Sequence, residues 1–172
     1  MQRIAIIGCG GSGKTTIGGQ LADHIGVTIT HLDVIYYDDQ WNKMDAEKFA
    51  ALQEELVATA TWVIDGNYAS TLPIRLKRAD TIIFLDLPAI TCLWGIAQRR
   101  LKYRGGQNNA TGVYDRLTWY FIKYVWGYRR EMAPSVRALL AEHAQHADVR
   151  IITSRRAANQ LLAELKGSSA PA

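Results

Sequence analysis

Apolar residues along the chain cluster in two alternating ways. Short β-branched runs occupy residues 3–7, 27–32, 62–65, 81–85 and 149–152. Each is too short for a helix and is bounded by turn-forming residues, which predicts buried strands. Between them the apolar positions recur at helical spacing. Ile17, Leu21, Ala22 and Ile25 mark a helix over 14–25 that stops at Gly26. Phe49, Leu52, Leu56 and Val57 mark another over 45–60, with Asp45 as its N-cap. Weaker or shorter helical patterns cover 70–78, with Pro73 near the start, and 89–103. Leu117, Phe121, Tyr124 and Tyr128 give a helical stripe from about 113, which Pro134 interrupts before a further helix to about 144. A last helix is expected over 157–166, and residues 167–172 read as a disordered tail. Strands that alternate with helices predict an α/β fold, a parallel sheet covered on both faces.

Of all the loops in this pattern, the first carries the strongest chemical signal. Gly8-Cys9-Gly10-Gly11-Ser12-Gly13-Lys14-Thr15 follows the first strand and opens the first helix. It fits G-x-x-x-x-G-K-[ST], the P-loop pattern, in the strand–loop–helix setting that pattern requires. Glycines let backbone N–H groups converge on phosphate oxygens, and the helix N-terminus adds partial positive charge. Gly8, Gly10, Gly11, Ser12, Gly13, Lys14 and Thr15 are therefore the expected nucleotide contacts, with Thr16 beside them in the first helical turn. Lys14 reaches for the β- and γ-phosphates, and the Thr15 hydroxyl is a magnesium ligand.

Ligands of parallel sheets bind outside the carboxyl ends of the strands. That rule gathers Asp33, Asp65 and Asp86 on the same edge as the phosphate loop. Asp is also common in turns after strands, so a role is expected for at least one of the three. The stretch 33–41, acidic and aromatic, reads as a loop or short helical turn.

Composition adds limits. A chain of 172 residues suits one domain, residues 1–166, and 48% hydrophobic with 21% charged residues is ordinary for a soluble globular protein. No apolar stretch reaches the roughly 20 residues that a membrane-spanning helix needs. The N-terminus runs straight into a strand, two cysteines make no disulfide framework, and cytoplasm is the expected location. Charge is uneven: residues 97–137 hold nine basic side chains against two acidic ones, a net +7, while the remainder brings the chain to +4. Such a segment calls for an anionic partner, small phosphates or a nucleic-acid backbone. Trp119, Tyr120, Tyr124, Trp126 and Tyr128 are interleaved with it. The polar, glycine-rich stretch 105–112 suggests a lid within an insertion near 99–130.

Taken together, residues 8–15, His31-Leu32-Asp33, the run Trp62 through Tyr68, the run Ala79 through Pro88, and Arg99-Arg100 resemble the adenylate-kinase-type P-loop kinases. Within that group they are most similar to the bacterial topology modulation proteins. The resemblance covers roughly residues 1–104 and implies a five-stranded parallel sheet in the order 2-3-1-4-5. It implies that Asp65 helps hold magnesium, usually through water, and that Asp33 faces the phosphoryl acceptor. Arg99, Arg100 and Arg104 would contact the transferring phosphate, and Arg155 or Arg156 would lie near the base. Gly66-Asn67-Tyr68 lacks the Pro-Arg that follows Asp-Gly in adenylate kinases, and residues 34–64 contain no arginine. Both departures argue against AMP as acceptor. The resulting expectation is an ATP- and Mg2+-dependent kinase of a small molecule or of a nucleotide or nucleoside, its acceptor unidentified, with Lys14, Asp33, Asp65, Arg99 and Arg100 as its catalytic set. Alternatives are a nucleotide-dependent nucleic-acid-binding protein, as the family label suggests, and a simple NTPase.

Overall fold

In the computed structural model, residues 1–38, 40–103 and 118–167 are described, the last three in backbone only. The expected glycine-rich lid at 105–112, Arg104 and the tail beyond 167 lie outside them. Five strands form one parallel sheet: β1 (Arg3–Gly8), β2 (Ile29–His31), β3 (Trp62–Asp65), β4 (Thr81–Leu85) and β5 (Asp148–Ile152). Their order is β2-β3-β1-β4-β5, as the resemblance implies. The central strands are buried on both faces, which is why they read as continuous apolar runs.

Alternation along β1 explains the three layers. Ile4 and Ile6 point to one face, where Val63, Ile83 and Leu85 join Ile17, Leu21 and Ala22 of α1 (Lys14–Ile25) and Ala158 and Leu161 of α8 (Arg155–Gly167). Ala5 and Ile7 point to the other. There the sheet meets α3 (Ala46–Ala58), α4 (Leu72–Leu76), α5 (Ala89–Lys102), α6 (Trp119–Glu131) and α7 (Ala133–His143).

Local signals set most boundaries. Gly26 ends α1 in the left-handed conformation, with φ 74°. The Asp45 side chain accepts from Glu47 N and Lys48 N at 3.1 Å, a cap that stabilises α3 by about 1 kcal/mol. Pro134 stands in the first turn of α7, where the break was expected. Differences arise where tertiary contacts decide. β2 covers only residues 29–31, because α2 (Leu32–Tyr36) begins at once and buries Leu32. On α3 the fully buried inward residue beside Phe49 and Val57 is Gln53, whose amide donates to Thr71 Oγ1 at 2.9 Å and to Phe49 O at 3.3 Å. Leu52 and Leu56, expected inward, are only partly buried.

Candidate active site

At the carboxyl edge of the sheet lies a cavity of about 760 Å³. One wall is the phosphate loop, whose glycines admit close neighbours. A Cβ on Gly11 would stand 2.2 Å from the Cys92 carbonyl of α5, and one on Gly95 would stand 2.2 Å from the Gly11 carbonyl. Helix α5 therefore lies against the loop, backbone to backbone, at Gly11 and Gly95. On the other side Phe121 of α6 packs on Gly10, where a Cβ would come within 2.5 Å of its ring. Cys9 and Ser12 are buried beneath the loop, and the Ser12 hydroxyl has no hydrogen-bond partner among the described residues. Cys9 is thus a small core residue, its thiol pushed up by a hydrogen bond with Cys92 and by burial.

Lys14 folds back over this loop, its Nζ donating to Gly8 O at 2.9 Å and Cys9 O at 3.0 Å. The ammonium is thereby held at the mouth of the loop, and it lines the cavity with Thr15 and Thr16. The Thr15 hydroxyl donates to Asp65 Oδ2 at 3.3 Å. Asp65 Oδ1 lies 3.0 Å from His31 Nδ1. His31 and Asp65 are registered partners on adjacent parallel strands, which places the two side chains together on one face. An ionised carboxylate only accepts, so the His31 Nδ1 carries the proton of that bond.

Behind Asp65 the chain turns through Gly66, Asn67 and Tyr68, and a fully buried arginine pins the turn. Arg75 NH1 donates to Gly66 O at 2.8 Å and NH2 to Tyr68 O at 3.4 Å. Burial pulls its guanidinium down to about 10, partly offset by the charge of Asp65. Asn67 links to α6, donating to Tyr124 OH at 3.1 Å and accepting from Tyr128 OH at 2.9 Å. Burial holds both phenols above their ordinary value, Tyr124 up to about 12. Tyr68 OH donates to Asp33 Oδ1 at 2.7 Å, and burial, followed by the Asp33 charge, pushes this phenol far up. Tyr68 is thus the hydrogen-bond donor of this pair.

The cavity thus brings together Gly8, Gly10, Gly11, Gly13, Lys14, Thr15, Thr16, Asp33, Asp65 and Arg99 of the sequence-predicted set. Arg155 also lines it, beside Gly13 and Gly95. Arg100 is exposed on α5 and is not among the lining residues, nor is Arg156. Asp86, at the same edge, is engaged elsewhere. It is buried and accepts from Arg129 Nε at 3.1 Å and from Arg137. Two cations of the basic segment are thus committed to a structural ion pair. Sequence reasoning assigned no role to His31, Gly95 or Arg75, since each depends on a neighbour distant in the chain.

The oxygen donors of Thr15 and Asp65, one hydroxyl and one carboxylate, suit magnesium, which takes few protein ligands and completes its shell with phosphates and water. Among the described residues no group of three or more His, Cys, Asp or Glu side chains could hold a metal alone.

Comparison with solved structures bears on the whole architecture. A shikimate kinase from Acinetobacter baumannii, in complex with shikimate, superposes with a TM-score of 0.60 at 18% identity, covering 98% of this chain and 92% of that one. A sugar kinase from Janibacter sp., unliganded, gives a TM-score of 0.51 at 14% identity, over 100% of this chain and 99% of that one. The fold is the three-layer P-loop NTPase fold, with the strand order β2-β3-β1-β4-β5. No protein-family model matches the chain. In sequence, threonine synthase-like 1 of Mus musculus is 26% identical over 131 residues, and its human counterpart 25%. The match takes in 67% of this chain and 18% of the length of those relatives. Among the described residues no helix is long and apolar enough to cross a membrane.

Proposed function

We propose that the protein transfers the γ-phosphoryl group of ATP to a hydroxyl of a small molecule. The observation that carries this reading is one cavity lined at once by the phosphate loop, by the Thr15–Asp65 pair and by Asp33. A phosphate loop alone would suit any NTPase; a carboxylate facing the same space supplies the acceptor half. The motif resemblance to the topology modulation proteins is compatible with it but names no acceptor.

In the proposed reaction the loop amides and Lys14 would hold the donor phosphates. Magnesium, held by Thr15 and through Asp65, supplies positive charge at the β- and γ-oxygens when bound. Lys14 would exchange its two carbonyl partners for phosphate oxygens, so that its ammonium meets an anion rather than neutral acceptors. The acceptor oxygen forms its bond to the γ-phosphorus as the bond to the β–γ bridging oxygen breaks, and ADP leaves with the electron pair. The hydroxyl proton passes to Asp33 and then to solvent. Arg99, which lines the cavity, would neutralise charge on the transferring group. The test is a screen of hydroxylated acceptors with ATP and Mg2+, read as phosphorylated product, alongside ATP binding by titration. Lys14→Ala binding ATP–Mg as tightly as the parent would sink the phosphate-loop assignment, and full turnover by an Arg99→Ala/Arg100→Ala pair would remove the arginine role.

A second reading has its own observation. Trp119 and Trp126 are 78% and 62% exposed, with Lys123 and Arg130 exposed at alternating helical positions of α6. Aromatic faces interleaved with cations suit stacking on nucleic-acid bases. Salt-sensitive binding to single-stranded or duplex DNA supports it, and no binding at low salt removes it.

A further inference from the structure

Residues 33–69 contribute a stretch of the cavity's lining with its own chemistry. Tyr37 and Lys43 are bridged antiparallel, and Met44 N donates to Tyr36 O at 2.8 Å. The Asp38 carboxylate ties its turn, accepting from Gln40 N at 2.9 Å, Asn42 N at 2.8 Å and Asn42 Nδ2 at 2.9 Å. Those bonds lower the Asp38 carboxyl from its ordinary value, led by the one from the Asn42 side chain. At the tip sits Trp41, whose N–H donates to Asp38 O at 2.9 Å and whose φ is 65°. It is the one non-glycine residue with positive φ among the described residues. A bulky side chain rarely adopts this conformation, and where it does the strain clusters at ligand-binding sites.

The strained turn presents an indole to the cavity. Trp41 lies 5.1 Å from the Tyr37 ring, and both line the cavity with Asp33 and Tyr68. The Asp38 oxygens are engaged within the turn. Asp33 is different: Tyr68 takes one oxygen, leaving the other as an acceptor for a ligand hydroxyl.

Charge narrows the class. Phosphate and carboxylate groups are recognised best by the bidentate fork of arginine. Among the described residues, the lining contributed by residues 33–69 contains no arginine and a single, exposed lysine, Lys43. Arg99, Lys102 and Arg155 line the cavity from α5 and α8, and Arg155 stands beside Gly13 of the phosphate loop. An exposed point charge on a flexible stem adds little. The negative faces of Trp41 and Tyr37, by contrast, attract the electropositive C–H face of a saturated ring.

We propose that the acceptor is an uncharged ring bearing neighbouring hydroxyls, a sugar or cyclic polyol, stacked on Trp41 and hydrogen-bonded by Asp33. This rests on the kinase reading above. Transfer forms the new oxygen–phosphorus bond on one of those hydroxyls, with ADP leaving and the hydroxyl proton passing to Asp33.

The test sets D-ribose, D-glucose and myo-inositol against ribose 5-phosphate, glucuronate and shikimate, with ATP and Mg2+. Product is read by mass, and ATP binding is titrated separately. At least one neutral ring should be phosphorylated with kcat/KM tenfold or more above every charged one. Trp41→Ala should raise the KM for that ring at least tenfold, leaving the KM for ATP and the unfolding midpoint in place, while Trp41→Phe stays within about threefold of the parent. Preference for a charged ring, or a Trp41→Ala variant with unaltered KM, overturns the assignment. ATP binding without phosphorylation of any neutral ring overturns it too, and leaves nucleotide binding standing. Failure to bind ATP removes the kinase reading itself.

Discussion

Tyr68 donates a 2.7 Å hydrogen bond to Asp33, joining the turn after β3 to the helix after β2 at the lining of the cavity. The bond orients the carboxylate proposed to receive the acceptor proton, and Tyr68 itself is fixed by packing against Tyr36 and Phe49. A hydrogen bond to a charged group contributes about 1.5–3 kcal/mol, so Tyr68→Phe should lower kcat roughly tenfold or more. The ring contacts survive that change, so ATP affinity and folding should hold. Steady-state kinetics with separate ATP and acceptor titrations provide the check. An unchanged kcat would show that Asp33 needs no partner.

Two glycines on helices should respond to alanine with opposite signs. Gly19 of α1 has nothing within 4 Å of a built Cβ, so Gly19→Ala should stabilise the fold by about 1 kcal/mol through helix propensity. Gly95 of α5 has the same propensity to gain but meets the Gly11 carbonyl at 2.2 Å and Arg155 at 2.7 Å. Overpacking of about 1–3 kcal/mol outweighs the gain, and the displaced helix disturbs the phosphate loop. Gly95→Ala should therefore unfold earlier and bind ATP–Mg more weakly. Thermal unfolding and nucleotide titration of the two variants decide it.

How much of the fold and site was legible in the sequence follows from how local each cause is. The phosphate loop, α1 and its Gly26 stop are set by neighbouring residues, and the register of the motif carried them into the structure intact. Asp45 as N-cap is local too. Asp33, Asp65 and Asp86 looked equivalent as strand-end aspartates, but Asp86 is consumed by Arg129 and Arg137 from helices more than forty residues on. Gln53 reads as a surface residue until α4 brings Thr71 to its amide. Gly95 is an ordinary helical glycine until Gly11 is placed beneath it. In each case the deciding partner comes from another element of the fold, which periodicity does not report.

Acid should weaken the fold partly through Asp80, at the start of β4. Burial opposes its charge, but donation from Gln2 N at 2.9 Å, Arg3 N at 3.0 Å and Thr81 Oγ1 at 2.8 Å wins and holds it below the ordinary carboxylate value. A depressed carboxylate stabilises the native state above its unfolded value and loses that contribution as pH falls through the folded one. Asp80→Asn should thus be less stable than the parent at neutral pH. The gap should narrow as pH drops below about 4, the ordinary value for aspartate. Denaturant unfolding across that range tests the sign; a gap that widens in acid contradicts it.

The last expectation concerns the bond between His31 and Asp65. With Oδ1 held by His31 at 3.0 Å, Oδ2 is left facing the Thr15 hydroxyl, the pairing proposed for magnesium. Partners that orient a metal ligand typically contribute tenfold to a hundredfold in metal affinity. His31→Ala should raise the Mg2+ concentration for half-maximal ATP binding by about tenfold, with little change in metal-free nucleotide affinity. His31→Asn, which retains a donor of similar reach to Nδ1, should recover much of the loss. Both variants remove a largely buried ring at the edge of the sheet, so a purely structural role would weaken stability alike and leave the Mg2+ dependence where it was. Titrating Mn2+ by its electron paramagnetic resonance signal, with and without ATP, separates the two outcomes without relying on turnover.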